Sequence, residues 1–278
     1  MDISENGVRE RGERFWALHH GSEAFVVANA WDAGTARLLA GLGFSALATT
    51  SAGLAHGLGR RDGAGLVTRE ETLRNAAAVA AATDLPVTAD LENGFGDTPE
   101  DVARTVREAG RTGVAGGSIE DTTGHPDTPV YEPGPAAERV AAAVEAARAL
   151  PFPFTLTARA ENFLHGRPDL EDTIRRLQAF EEAGADVLYA PGLPDPAAIR
   201  AVCAAVRRPV NVLAAGAAAR MSVAELSALG ARRVSLGSGL SRSALTQAVA
   251  AAREIAEHGT FERMSGALSG SEVDRLMG

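Results

Sequence analysis

PVTADLENGFGDTPEDVARTVREAG, residues 86–110, is the stretch that decides the fold. It begins as a short apolar strand, PVTADL (86–91), crosses a glycine-containing turn, and enters a helix from Pro99 to Gly110. The same strand-then-helix unit recurs about eight times along the chain. Its other strands are predicted at AFVVAN (24–29), SALATT (45–50), GGSIE (116–120), FTLTAR (154–159), DVLYA (186–190), PVNVLA (209–214) and RVSLG (233–237). Helices are expected from Arg69 to Ala82 with Thr68 as N-cap, from Pro135 to Leu150 and from Asp169 to Ala183. This alternation predicts an α/β protein, a (β/α)8 TIM-type barrel in one domain over residues 1–278. Residues 1–22 are expected to cap the barrel as a helix, and residues 258–278 to form a helical tail.

Composition narrows the chemistry. The formal charge of −9 disfavours a nucleic-acid partner, which needs a basic stripe to displace counterions. No apolar run reaches the roughly 20 residues that cross a bilayer, and the acidic N-terminus does not read as a signal peptide. A cytoplasmic, membrane-free protein is the expectation. Cys203 is the single cysteine and lies in the apolar AVCAAV, so it is read as a packed thiol with no catalytic role. All 27 basic side chains are arginine. A chain without lysine cannot form a lysine Schiff base, and a P-loop would lack its lysine. Carbanion chemistry here would need a metal ion as electron sink.

In such a barrel the active site lies at the C-terminal strand ends, where this chain is acidic. Strand three ends with Asp90 and Glu92, two residues apart and hence expected on one side of an extended chain. Strand four ends with Glu120 and Asp121, and GRRDG after strand two offers Asp62. A single acid of this kind is usually a solvated loop residue or a helix cap, as Asp97 could be before Thr98 and Pro99. Several converging carboxylates repel one another unless a cation intervenes, and an all-oxygen set favours Mg²⁺, with Mn²⁺ possible, over zinc. Arg159, at the tip of strand five, is either a salt-bridge partner for these acids or a group aimed at a developing enolate oxygen. Thr50, Ser51, Ala52 and Gly53 are small enough to let a carboxylate or phosphonate approach the backbone.

Weaker signals surround this set. The loop from Thr122 to Pro135 is long enough to be a lid. SLGSGLSRSAL after strand eight could cradle a phosphate, although an ordinary turn with serine capping explains it as well. Asn211 on strand seven is a substrate contact only if its register turns it inward.

Taken in order, NAWDAGTARLLAGLGFSALATTSAG, GRRDG, TADLENGFG, GGSIED, LTARAENF and PVNVL resemble the isocitrate lyase / phosphoenolpyruvate mutase superfamily over nearly the whole chain. The resemblance implies that Asp90 contacts Mg²⁺ most directly, while Asp62, Glu92 and Glu120 hold its water ligands. It implies that Arg159 contacts the substrate and that Thr50, Ser51 and Ala52 seat the substrate carboxylate. It also implies a homo-oligomer, a dimer or a tetramer with C-terminal helices packed across subunits.

Two departures bear on the reaction. Where superfamily lyases carry a KRCGH-type loop, this chain reads EDTTGHPDTPVYEP, and the lysine and asparagine of the phosphonopyruvate-forming mutases are absent as well. Pro191 stands where tricarboxylate lyases place a glutamate. The expected activity is therefore Mg²⁺-dependent carbon–carbon cleavage of a small 2-keto or 2-hydroxy acid through a pyruvate-like enolate, by a decarboxylase, hydrolase or aldol-type route. Arg159 and Glu120 are the catalytic candidates at the mouth. His125 and Tyr131 are the candidates for proton transfer in the loop, where a histidine is more often simply solvated. A C–P bond enzyme and a non-catalytic keto-acid-binding barrel are the alternatives.

Overall fold

Eight parallel strands pair in chain order and close on themselves in the computed structural model, which describes residues 5–278. They are β1 (Phe25–Asn29), β2 (Ala46–Ala48), β3 (Val87–Asp90), β4 (Gly116–Glu120), β5 (Thr155–Arg159), β6 (Val187–Tyr189), β7 (Val210–Leu213) and β8 (Arg233–Ser235). The helices are α1 (Glu5–His19), α2 (Ala33–Gly41), α3 (Ser51–Gly57), α4 (Arg69–Ala81), α5 (Pro99–Ala109), α6 (Pro133–Arg148), α7 (Leu170–Glu182), α8 (Pro196–Ala205), α9 (Val223–Ala228), α10 (Gly239–His258) and α11 (Gly270–Met277). Residues 1–4 of the expected N-terminal cap lie outside the described residues.

Local chemistry explains the element boundaries. Thr98 and Asp101 form a capping box ahead of α5, with Pro99 in the first turn where its missing N–H costs nothing. Val102, Ala103, Val106 and Ala109 then fall on one buried face, the spacing that lays α5 against the barrel. Thr68 and Glu71 repeat the device at α4. β2 is shorter than its apolar run because Thr50 leaves the strand to cap α3, a helix that small residues alone did not announce. The Thr49 hydroxyl meanwhile accepts the Asp90 N–H at 2.8 Å, so a side chain continues the β2–β3 contact where the strand stops.

Alternation sends Leu156 and Ala158 of β5 outward into the helix layer, where both are fully buried. Arg159 therefore faces the barrel interior together with Thr155 and Thr157. Pairing register links Glu120 to Arg159, Arg159 to Tyr189, Tyr189 to Asn211 and Asn211 to Arg233. One row across β4 to β8 thus carries five polar side chains into the barrel.

α1 closes the opposite end. Phe15 is fully buried against Val27, Ala46, Ala48 and Ala115, and the approach is so close that a Cβ on Gly12 would lie 2.3 Å from the Pro153 carbonyl. α11 docks on α2, where a Cβ at Gly41 would meet the Leu276 carbonyl at 2.6 Å. α10 instead leaves Leu245, Val249 and Ile255 exposed.

Candidate active site

Asp90 is gripped from three directions. Its Oδ2 accepts the Ser51 N–H at 3.1 Å, and its Oδ1 accepts the Glu92 N–H at 3.3 Å and Arg159 Nη1 at 3.1 Å. The Ser51 N–H, expected to await a substrate carboxylate, is thus already engaged, while Thr50 Oγ1 caps the Gly53 N–H. Thr50, Ser51 and Ala52 all line the cavity inside the barrel mouth, together with Asp90 and Arg159.

Glu92 arrives by a different backbone from the one expected. β3 ends at Asp90, and Glu92 adopts φ 48°, a left-handed conformation that a non-glycine residue seldom takes. The turn still leaves Glu92 in the wide upper cavity with Glu120 and Asp62. Burial and the charges of Asp90, Glu120 and Asp62 push its carboxyl up to about 8.

Arg159 is the hub. Its Nη2 lies 3.1 Å from Glu120 Oε2 and its Nε 2.8 Å from Glu161 Oε1, in addition to the Asp90 contact, and its guanidinium covers the Tyr189 ring at 5.1 Å. Both Arg159 readings, acid partner and substrate-facing cation, are compatible with this placement. Burial and neighbouring carboxylates raise the Glu120 carboxyl, partly offset by Arg159 and by the Thr122 hydroxyl donating at 2.7 Å. Asp62, at the solvent rim, is pushed up by partial burial and by Asp90.

The remaining candidates separate. Asp121 turns away from the mouth, pairing with Arg176 at 3.0 Å and accepting the Glu161 N–H at 2.8 Å. His125 is exposed but lines the upper cavity, whose volume is about 960 Å³. Tyr131 is not brought to either cavity: its hydroxyl donates to Asp97 at 2.7 Å, its ring lies under Arg139, and burial pushes it up to about 12. Asn211 points inward but is fully engaged, donating to Ser235 Oγ and accepting from Arg233 Nε, each at 2.9 Å. Cys203 is partly buried beside Gly230, with its thiol pushed up to about 11 by burial.

Three further side chains at the cavities escaped the sequence reading. Glu161 follows Arg159 by two residues and continues its inward alternation into the loop. Tyr189 is the inward residue at the tip of β6, and Arg233 the inward residue opening β8. Strand parity could have found all three once Arg159 was assigned to the interior.

Acids at the cation hub fit a divalent metal on chemical grounds. Asp62, Asp90, Glu92, Glu120 and Glu161 face one guanidinium, and every donor is oxygen. Among the described residues no group of three or more histidine, cysteine, aspartate or glutamate side chains is placed to hold a metal ion by itself. A divalent ion here would draw one or two of these carboxylates and fill its remaining positions with water, the coordination Mg²⁺ takes.

These features define a (β/α)8 barrel with its polar site at the C-terminal strand ends. The chain belongs to the phosphoenolpyruvate phosphomutase family, whose profile matches residues 15–256, and so to the isocitrate lyase / phosphoenolpyruvate mutase superfamily. A crystal structure from Burkholderia cenocepacia J2315, assigned as a lyase or mutase, is similar at TM-score 0.94 and 53% identity, covering 98% of this chain and 96% of that one. The oxaloacetate decarboxylase of Chromohalobacter salexigens is 32% identical over 79% of this chain and 76% of its own. Oxaloacetate acetylhydrolase bound to oxalate matches at TM-score 0.84 and 27% identity, over 96% of this chain and 94% of the other.

Proposed function

We propose that this protein is a Mg²⁺-dependent carbon–carbon lyase that takes a small 2-oxo or 2-hydroxy acid through a pyruvate-like enolate. The observation that carries this reading is Arg159, a single guanidinium shared by Asp90, Glu120 and Glu161 at the floor of an acid-lined cavity. Mg²⁺ would supply charge neutralisation and polarisation of the keto oxygen, with Asp90 as direct ligand and Asp62, Glu92 and Glu120 holding its waters. Mn²⁺ could serve in its place.

The chain's own residues then divide the work. Arg159 faces the oxygen that gains charge when the carbon–carbon bond breaks and its electron pair enters the enolate, a preorganised contact of the kind worth several kcal/mol. Thr50, Ser51 and Ala52 line the cavity where the carboxylate end would sit, and the Ser51 N–H serves it once released from Asp90. Glu120 holds Arg159 and stands within the same cavity. His125, on the exposed loop, is the group that can reach a leaving fragment with a proton. The loop that begins at Thr122 ends where α6 starts at Pro133, carries an isolated antiparallel bridge between Thr122 and Val130, and lines the upper cavity with Thr123, His125 and Pro126.

Oxaloacetate is the first substrate to test, since one relative decarboxylates it and another cleaves it hydrolytically by name. Pyruvate and CO₂, or oxalate and acetate, distinguish the two routes by NMR. The family's mutase name supports a second reading, C–P chemistry, so phosphonopyruvate belongs in the same assay. Turnover of neither compound, with keto-acid binding by calorimetry, would favour a binding barrel. An Asp90→Ala variant that retained both turnover and Mg²⁺ binding would sink the proposal. We also infer self-association through the exposed apolar residues of α10, which light scattering with a Leu245→Asp, Val249→Asp variant would test.

A further inference from the structure

Arg233 is 4% exposed, and both of its partners are neutral. Its Nε donates to Asn211 Oδ1 at 2.9 Å, and its Nη1 lies 3.4 Å from His19 Nε2. The other ring nitrogen of His19 is 2.7 Å from the Phe15 carbonyl, which places the imidazole proton on Nδ1 and leaves Nε2 as an acceptor. His19 is therefore a neutral imidazole, and it adds no negative charge.

Of the other buried arginines, Arg139 has no carboxylate either but donates to the Asn93 and Asp97 carbonyls and covers the Tyr131 ring. Arg11, Arg159 and Arg176 each meet a carboxylate. Among the described residues none pairs with Arg233, and its Nη2 has no protein partner. Burial lowers the pKa of its guanidinium, an effect that the Tyr189 phenol partly offsets and Arg159, of the same sign, adds to. A buried charge without a counter-charge is costly, so such groups are normally paired.

The surroundings are those of a site. Arg233 lines the cavity inside the barrel, about 160 Å³ in volume, with Thr88 facing the same space. Thr88 Oγ1 is buried without a hydrogen-bond partner, although such groups in folded proteins are nearly always satisfied. Asn211 accepts from Arg233 Nε and donates to Ser235 Oγ, so it gives the guanidinium a hydrogen bond but no counter-charge. Asp90 and Arg159 stand at the upper end of this cavity and Arg233 at the lower.

We propose that the lower end of the barrel cavity binds one small monovalent anion, a halide or a carboxylate group, on the Arg233 guanidinium with the Thr88 hydroxyl as a second donor. The volume admits such an ion with a few waters, and the donors present match it. The halide form stands on the barrel interior alone. The carboxylate form rests on the proposed keto-acid reading, since the carboxylate would be the substrate's own.

Crystals of the full chain grown in sodium bromide, and others grown with Mg²⁺ and oxalate, separate the two sources. A bromide anomalous peak at hydrogen-bond distance from Arg233 identifies an inorganic ion. An oxalate oxygen at that position without bromide identifies a substrate carboxylate. In solution, chloride titrated at constant ionic strength against gluconate, which is too large for the cavity, should raise the wild-type melting temperature saturably. The rise should vanish in Arg233→Met and weaken in Arg233→Lys. Water alone beside Arg233 in both crystals overturns the proposal, as does an undiminished chloride response in Arg233→Met. If Arg233→Met does not fold, the two wild-type crystals still decide.

Discussion

Arg159 Nη1 and Asp90 Oδ1 lie 3.1 Å apart, joining the tips of β5 and β3 across the intervening β4. The same guanidinium holds Glu120 of β4 and Glu161 beyond β5, so the mouth is organised by one cation with fixed fork geometry.

That fork is what lysine cannot reproduce. Arg159→Lys should keep the charge, lose the simultaneous contacts, and lower kcat with oxaloacetate by roughly 10²–10³-fold, the scale for losing a donor to a developing oxyanion. Arg159→Met removes the charge too and should destabilise the metal-free protein by about 3 kcal/mol in urea titration, because it strands buried carboxylates. Full turnover by the lysine variant would remove Arg159 from the reaction.

Glu92 ties stability to pH. Its carboxyl is raised to about 8, above the unfolded value of about 4.5, so between those values the native state binds more protons than the unfolded chain. The Glu92 contribution is full below the unfolded value and is lost as pH rises through the folded one. Metal-free protein should therefore lose stability from pH 5 to 8, at a steepest slope of roughly 1 kcal/mol per pH unit from this group. Glu92→Gln should flatten that slope, and Mg²⁺ at pH 8 should raise the wild-type melting temperature more than that of the variant. Parallel wild-type and Glu92→Gln slopes would contradict this.

How much of this was readable beforehand follows from period and parity. Strand placement was legible because β-branched runs such as PVTADL and PVNVLA are bounded by proline and glycine, and the observed β3 and β7 fall inside them. The acids at strand ends were legible for the same reason. Glu92 was legible as a mouth residue but not in its conformation, because a left-handed turn at a glutamate has no local signal. Tyr131 was misleading: loop membership says nothing of direction, and its hydroxyl turned to Asp97. The Asn211–Arg233 pairing depends on register between β7 and β8, a long-range property that neither strand carries in its own residues.

Asp186 and Arg148 should show a sharp asymmetry. Asp186 is 2% exposed and accepts the Leu156 N–H at 2.8 Å as well as Arg148 Nη1 at 3.1 Å. Arg148 is half exposed, with a side chain 48% accessible. Asp186→Ala should cost about 3 kcal/mol by leaving a buried backbone donor unpaired and β5 loosened against β6. Arg148→Ala leaves the carboxylate its backbone partner and an opening to water, and should cost about 1 kcal/mol. Chemical denaturation of the two variants measures the difference directly, and equal losses would show that the ion pair, rather than the backbone contact, matters most.

His19 acts on the acid side with the opposite sign to Glu92. Burial and Arg233 lower its imidazole to about 3, below the unfolded value of 6.5. Between those values the unfolded chain carries the extra proton, so stability is full above pH 6.5 and falls with acidification until the native imidazole titrates. The T-shaped packing of its ring on Phe15, at 4.7 Å, and on Phe25, at 5.0 Å, leaves no room for water to solvate an imidazolium. His19→Gln keeps an acceptor for Arg233 without a titrating ring. It should lower stability at pH 7.5, through lost packing, by about 1–2 kcal/mol. Its free energy between pH 6.5 and 4 should nevertheless decline less steeply than that of the wild type, by up to roughly 1 kcal/mol per pH unit. Urea midpoints across that window give both slopes, and a variant slope as steep as the wild type's would place the acid sensitivity elsewhere in the molecule.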